Sequence, residues 1–160
     1  MKFNIRIPQI TLAAALTQIG TIISGATRSF MITELDFQGM GITSLGMELG
    51  LYRVGTAGVT GSVAMTPVPL EVPNMTGTTP AIAFSGTAFQ TYATQPIAGA
   101  LVHSFGLNSN GQRYFWRANP NLDNAILVAG GNNAAGSLAL FPISGFTTGI
   151  VAGRIQIQEL

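Results

Sequence analysis

Short runs in which apolar and polar residues alternate recur along this chain, and alternation at period two marks a β-strand with one buried face. Phe3, Ile5 and Ile7 alternate with Asn4, Arg6 and Pro8 in an isoleucine-rich run that extends to Leu12. From Ser29 to Phe37 the pleat puts Phe30, Ile32, Glu34 and Asp36 on one face, with Met31, Thr33, Leu35 and Phe37 on the other. Gly39-Met40-Gly41 breaks that run. Thr43 to Val54 then carries Leu45, Met47, Leu49 and Leu51 on one face, opposite Glu48, Gly50 and Tyr52. Further on, Ile97 to Leu107 and Gln112 to Ala118 flank Asn108-Ser109-Asn110-Gly111, an Asn-Gly turn that predicts a hairpin. Short strands are expected at Ala125 to Ala129 and Ser137 to Phe141. A last one, Thr147 to Gln158, sets Ile155 and Ile157 opposite Arg154, Gln156 and Gln158.

Two segments depart from this pattern. Thr66 to Pro73 holds Pro67, Pro69 and Pro73, which bar a central strand and favour extended backbone running over a surface. Between Ile10 and Ile23, Ala13-Ala14-Ala15-Leu16 favours a short helix. Many short strands separated by Gly, Pro and Asn argue an all-β fold, a single antiparallel β-sandwich with a short N-terminal helix or an extended arm as an optional addition. No repeat and no linker divides residues 1–160, so one sandwich domain is expected, with residues 1–27 as an N-terminal arm or an edge strand.

Composition turns this fold into a functional expectation. Only 8% of the 160 residues are charged, against roughly 25% in an ordinary soluble domain, while 47% are hydrophobic. Thirteen charged side chains are few to coat a monomer, so much of the surface is expected to lie against other subunits. The seven basic residues are dispersed along the chain and the net charge is +1, which argues against direct nucleic-acid binding. No uninterrupted apolar stretch reaches the length of a membrane-spanning helix, so no membrane partner is expected. Lys2 and Arg6 ahead of Ile10 to Gly25 have the flavour of a signal peptide, but Pro8, Gln9, Thr11, Thr17, Gln18, Gly20 and Thr21 interrupt the apolar run.

Candidate chemistry is sparse. With no cysteine, thiolate metal sites and Cys nucleophiles are excluded. His103 is the single histidine and lies in an apolar run, where a core or interface role is expected; no Ser-His-Asp set is marked. Glu34 and Asp36 share a strand face, where paired carboxylates serve glycoside hydrolysis or cation binding; an ion pair with an arginine, or a solvated face, is the expectation. Arg113 and Arg117 flank Tyr114-Phe115-Trp116, which could stack on a base or a sugar. The pleat puts Arg113, Phe115 and Arg117 on one face and sends Tyr114 and Trp116 to the core or an interface. The chain is therefore read as a non-enzyme without cofactor or metal. A carbohydrate-binding module using Arg113, Tyr114, Trp116 and Glu34/Asp36 is the alternative, and a hydrolase ranks third.

Several segments from Thr43 onward resemble small head proteins of tailed bacteriophages. These are Thr43-Ser44 leading to Leu51-Tyr52-Arg53, Thr66-Pro67-Val68-Pro69-Leu70, Thr94-Gln95-Pro96, Leu101 to Asn108, Arg113-Tyr114-Phe115-Trp116, and the Gly-Gly loop before Gly136 to Leu140. After Trp116 this chain reads Arg117-Ala118-Asn119-Pro120-Asn121, a departure from the Trp-Val-Ala-Pro-Gly type of sequence common in that family. The resemblance implies a jelly-roll-like sandwich acting as a decoration or cement protein. It would form a homotrimer in the virion against the major capsid protein, after assembly in the host cytoplasm. The interface expected on these grounds takes in His103, Phe105, Tyr114, Trp116, Arg53, Pro67 and Pro69.

Overall fold

Residues 2–13, 20–22, 29–56, 68–69, 97–128, 138–143 and 148–160 are described by a computed structural model, and among them the only regular elements are strands. These are β1 (Lys2–Ala13), β2 (Gly20–Ile22), β3 (Phe30–Gly39), β4 (Gly46–Thr56), β5 (Val68–Pro69), β6 (Ile97–Asn108), β7 (Arg113–Arg117), β8 (Ile126–Val128), β9 (Leu138–Pro142) and β10 (Thr148–Glu159). They form two antiparallel sheets packed as a sandwich. Sheet A runs β5-β1-β10-β3-β7, with β8 also on β3; sheet B runs β2-β9-β4-β6. Phe3, Ile5, Phe37, Leu49, Leu51, Leu140 and Ile155 are among the buried side chains where the two inner faces meet. Each such burial contributes about 1.5–3 kcal/mol before ordering costs.

The alternation read from the sequence needs two corrections, and both come from bulges. In β1, Ile7 pairs Gly153 and Ile10 pairs Val151, so Pro8 and Gln9 together oppose the single residue Ala152. This extra residue flips the parity of the strand: Phe3, Ile5 and Ile7 point inward before it, Ile10 and Leu12 after it. In β3, Ile32 pairs Ile157 and Glu34 pairs Gln156, leaving Thr33 as the extra residue. Phe30 and Ile32 therefore share the inner face with Leu35 and Phe37, while Glu34, Asp36 and Gln38 point outward. The bulged Thr33 carbonyl accepts the Ala118 amide at 2.8 Å, where β7 leaves β3.

Three further expectations meet the structure. Ile10–Ala13 continue β1 and Gly20–Ile22 form β2, so no helix occurs among the described residues; Ala14, Ala15 and Leu16 lie outside them. The N-terminal run is a strand of its own sheet, paired with β10 along its length and with β5 only at Phe3 and Asn4. The Asn-Gly turn forms, with Gly111 at φ 77°, but it does not close a paired hairpin. It hands the chain from β6 in sheet B to β7 in sheet A. Its backbone is taken up elsewhere: Gly39 N–H donates to Gln112 O at 2.8 Å, Gly41 N–H to Ser109 O at 2.8 Å, and Ser109 N–H to Leu45 O at 2.8 Å. The β3–β4 and β6–β7 crossings are thus stitched into one corner.

Close packing leaves no room for a side chain at several glycines, Gly153 among them. A Cβ at Gly153 would lie 2.5 Å from Phe37 Cδ1 and 2.8 Å from the Asp36 carbonyl oxygen. Gly153→Val should lower the unfolding free energy by about 1–3 kcal/mol in urea denaturation. Gly106→Ala, whose nearest heavy atom would be 3.7 Å away, should stay within about 0.5 kcal/mol of the parent.

Candidate functional site

Two groupings of side chains stand out. The first is an aromatic seam along the side of the sandwich where β6 and β7 are edge strands. Phe105 lies parallel to Tyr114 with ring centres 4.3 Å apart, and Phe37 is 5.1 Å from Phe105. His103 sits 5.3 Å from Trp116 and shares a 2.7 Å hydrogen bond between Nε2 and the Tyr114 hydroxyl. Burial pushes the His103 imidazole below its ordinary 6.5 and the Tyr114 phenol above its ordinary 10.0, so both groups are neutral near pH 7. Four residues expected at an interface are thus brought together: Phe105 is buried, and His103, Tyr114 and Trp116 are half-buried. Arg53 is elsewhere, opposite Leu138 on β4, and Pro69 pairs Phe3 at the far edge of sheet A. Pro67 lies outside the described residues.

The second grouping is on the outer face of sheet A. Arg117 donates from Nε and Nη2 to Glu34 Oε2 at 3.0 and 2.7 Å. Arg113 clasps Asp36 with two bonds, Nε to Oδ1 at 2.7 Å and Nη2 to Oδ2 at 2.8 Å. Arg154 Nη2 bridges the two acids, bonding Glu34 Oε1 and reaching Asp36 Oδ2 at 3.5 Å. The Arg113 hydrogen bonds hold the Asp36 carboxyl below its ordinary 3.8. Glu34 is only 1% exposed beneath its two arginines, so the ion pair expected from the sequence forms, in a less solvated setting than a strand face suggests.

Phe115 stands in the same array, 48% exposed, with Arg113 and Arg117 guanidinium carbons 5.6 and 5.5 Å from its ring centre. Lys2 and Arg6 join this face from β1, whose Phe3, Ile5 and Ile7 point the other way. Five of the seven basic residues therefore share one surface. Dispersal along the chain does not persist in the fold, because strand order 1-10-3-7 places distant segments side by side. Outward parity at Lys2, Arg6 and Arg154 was the available signal; the pairing of their strands was not.

The sugar platform weighed from the sequence is not assembled. Tyr114 and Trp116 face inward, while Arg113, Glu34 and Asp36 face outward. Among the described residues no group of three or more His, Cys, Asp or Glu is placed to hold a metal ion. No helix there is long and apolar enough to cross a membrane.

Two outcomes follow. Glu34→Gln should cost about 1–3 kcal/mol by leaving two guanidinium groups short of a charged acceptor. In an Arg117→Met/Arg154→Met background the same change should cost clearly less, as read by a denaturation cycle. Between its folded pKa and 6.5, His103 binds fewer protons when folded than when unfolded. Stability is therefore complete above about pH 6.5 and declines as the pH falls below it. Thermal melts of His103→Gln should lose that decline and keep the one set by Asp36, which begins only as the pH falls below 3.8.

No family model matches the chain, and no curated protein does. Among solved structures it is similar, at 16% identity, to a chain of the T=1 particles derived from infectious bursal virus. The whole of this chain aligns with 40% of that one at a TM-score of 0.22, too low for the likeness to carry an argument about fold or function.

Proposed function

We propose that the chain is a virion structural protein, a decoration or cement subunit that forms a homotrimer on a phage head and braces the shell of its major capsid protein. The observation that carries this reading is β6. It is twelve residues long, holds no charged residue and no proline, and pairs only β4 among the described residues. Leu101 and Val102 are 49% and 36% exposed along it. Folded monomers normally protect such an edge with Lys, Pro or a covering element. A neighbouring subunit adding to β6 would satisfy the edge and finish the burial of His103, Tyr114 and Trp116 just beneath it.

Two further features support the reading. The strand order, β1-β10-β3-β7 facing β2-β9-β4-β6, passes the chain between sheets at nearly every connection, and we read it as a jelly roll, an architecture common among viral capsid domains. The outer side of sheet B adds a second apolar group in which Tyr52 packs edge-on against the buried Phe141, ring centres 5.9 Å apart. Both fit a subunit whose charge-poor surface is covered in an assembly.

Sedimentation equilibrium of the purified chain should give the mass of three subunits. Leu101→Lys combined with Val102→Lys should shift it to a monomer with an unchanged circular dichroism spectrum. A parent protein that stays monomeric and fails to co-sediment with phage heads overturns the reading.

A further inference from the structure

We propose that the outer face of sheet A binds single-stranded nucleic acid, its phosphates held by the basic side chains and a base stacked on Phe115. The charge distribution is the first ground. Among the described residues, Lys2, Arg6, Arg113, Arg117 and Arg154 share this face with Glu34 and Asp36, a balance of +3. A sheet face with this excess of basic side chains draws a polyanion to it.

The second ground is an unmatched pair of like charges. Arg6 and Arg154 are direct cross-strand partners between β1 and β10. Like charges in that relation repel. Arg154 turns away to Glu34 and Asp36, while Arg6 has no ion pair among the described residues. Arg6, Arg113, Arg154 and Asp36 line one depression of about 390 Å³. Lys2, Arg117, Gln156 and Gln158 line another of about 570 Å³. Arg6 lies four steps along β1 from Lys2, which sets these two basic residues, one in each depression, about 13 Å apart at the rise of an extended strand. An anion spanning both must carry several charges along its length.

Phe115 decides which polyanion. It stands exposed between the two arginines, and Arg113 and Arg117 are each oriented by a carboxylate through Nε and Nη2, leaving Nη1 to donate outward. Polyphosphate or an acidic peptide would match the charge and leave the ring unused. A nucleic acid strand brings a base to stack on it, and unpaired bases supply such faces where a duplex does not. This inference is independent of the oligomeric state of the chain.

The test is fluorescence anisotropy of a labelled twenty-nucleotide oligo(dT) titrated with the full chain, alongside labelled polyglutamate and a duplex. With about three phosphates neutralised, log affinity should fall against log salt with a slope near −2. Phe115→Ala should weaken oligo(dT) binding about tenfold and leave polyglutamate unaffected. Arg6→Gln, an exposed change, should flatten the salt slope by somewhat under one unit. Unchanged thermal midpoints establish that both variants fold. Absence of oligo(dT) binding in 50 mM salt overturns the proposal. So does polyglutamate binding as tight as that of oligo(dT), with oligo(dT) binding insensitive to Phe115→Ala, since the face would then be a docking surface for an acidic protein.

Discussion

A strand in a sandwich must keep its apolar side chains on one face, and in sheet A that parity is set by β10. Val151, Ile155 and Ile157 are wholly buried, and the strand runs unbulged past β1 on one side. Each of its partners spends one extra residue to stay in step. Without the Pro8–Gln9 bulge, Ile10 and Leu12 would face solvent; without the one at Thr33, Phe30 and Ile32 would share a face with Glu34 and Asp36. A one-residue slip reverses every side chain beyond it, so these two insertions decide which half of each strand enters the core. Proline at position 8 suits its place, since it lacks the N–H that a regular ladder would use.

The same bulge at Thr33 creates the electrostatic centre of the outer face. It turns Glu34 outward immediately beneath β7 and β10, where Arg117 and Arg154 close over it. Burying a carboxylate is costly unless charged donors surround it, and here two guanidinium groups do so. The network ties β3 to both neighbouring strands by side chains as well as backbone. Register is the property it secures, since a β7 shifted by two residues would set Phe115, and not Arg117, opposite Glu34.

Much of the fold was legible because period-two alternation survives between bulges. β4 follows its sequence pattern throughout Met47, Leu49 and Leu51, and β7 divides as the pleat requires. What alternation cannot reveal is an extra residue, which leaves no compositional mark at Thr33. Nor can it reveal partners: the Asn-Gly turn at Asn110-Gly111 reads as a hairpin, yet its strands join different sheets because Ser109 and Gln112 bond the β3–β4 crossing instead. The candidate site suffered from the same gap. His103, Phe105, Tyr114 and Trp116 are close in sequence and were found together. Lys2, Arg6 and Arg154 reach Arg113 and Arg117 only through strand order, a long-range property.

The central position of β10 also bears on how the protein is made. β1 and β3 are both synthesised early, yet they lie on either side of a strand encoded far downstream, at Thr148–Glu159. Until it emerges from the ribosome, Ile5, Ile7, Leu35 and Phe37 have no completed sheet to enter, and two long strand edges stand open. Folding cannot proceed domain-fashion from the N-terminus; it waits for the closing strand. Such a chain is vulnerable to self-association while nascent, and its yield of folded protein should depend on translation speed and on chaperones that shield unfinished sheets.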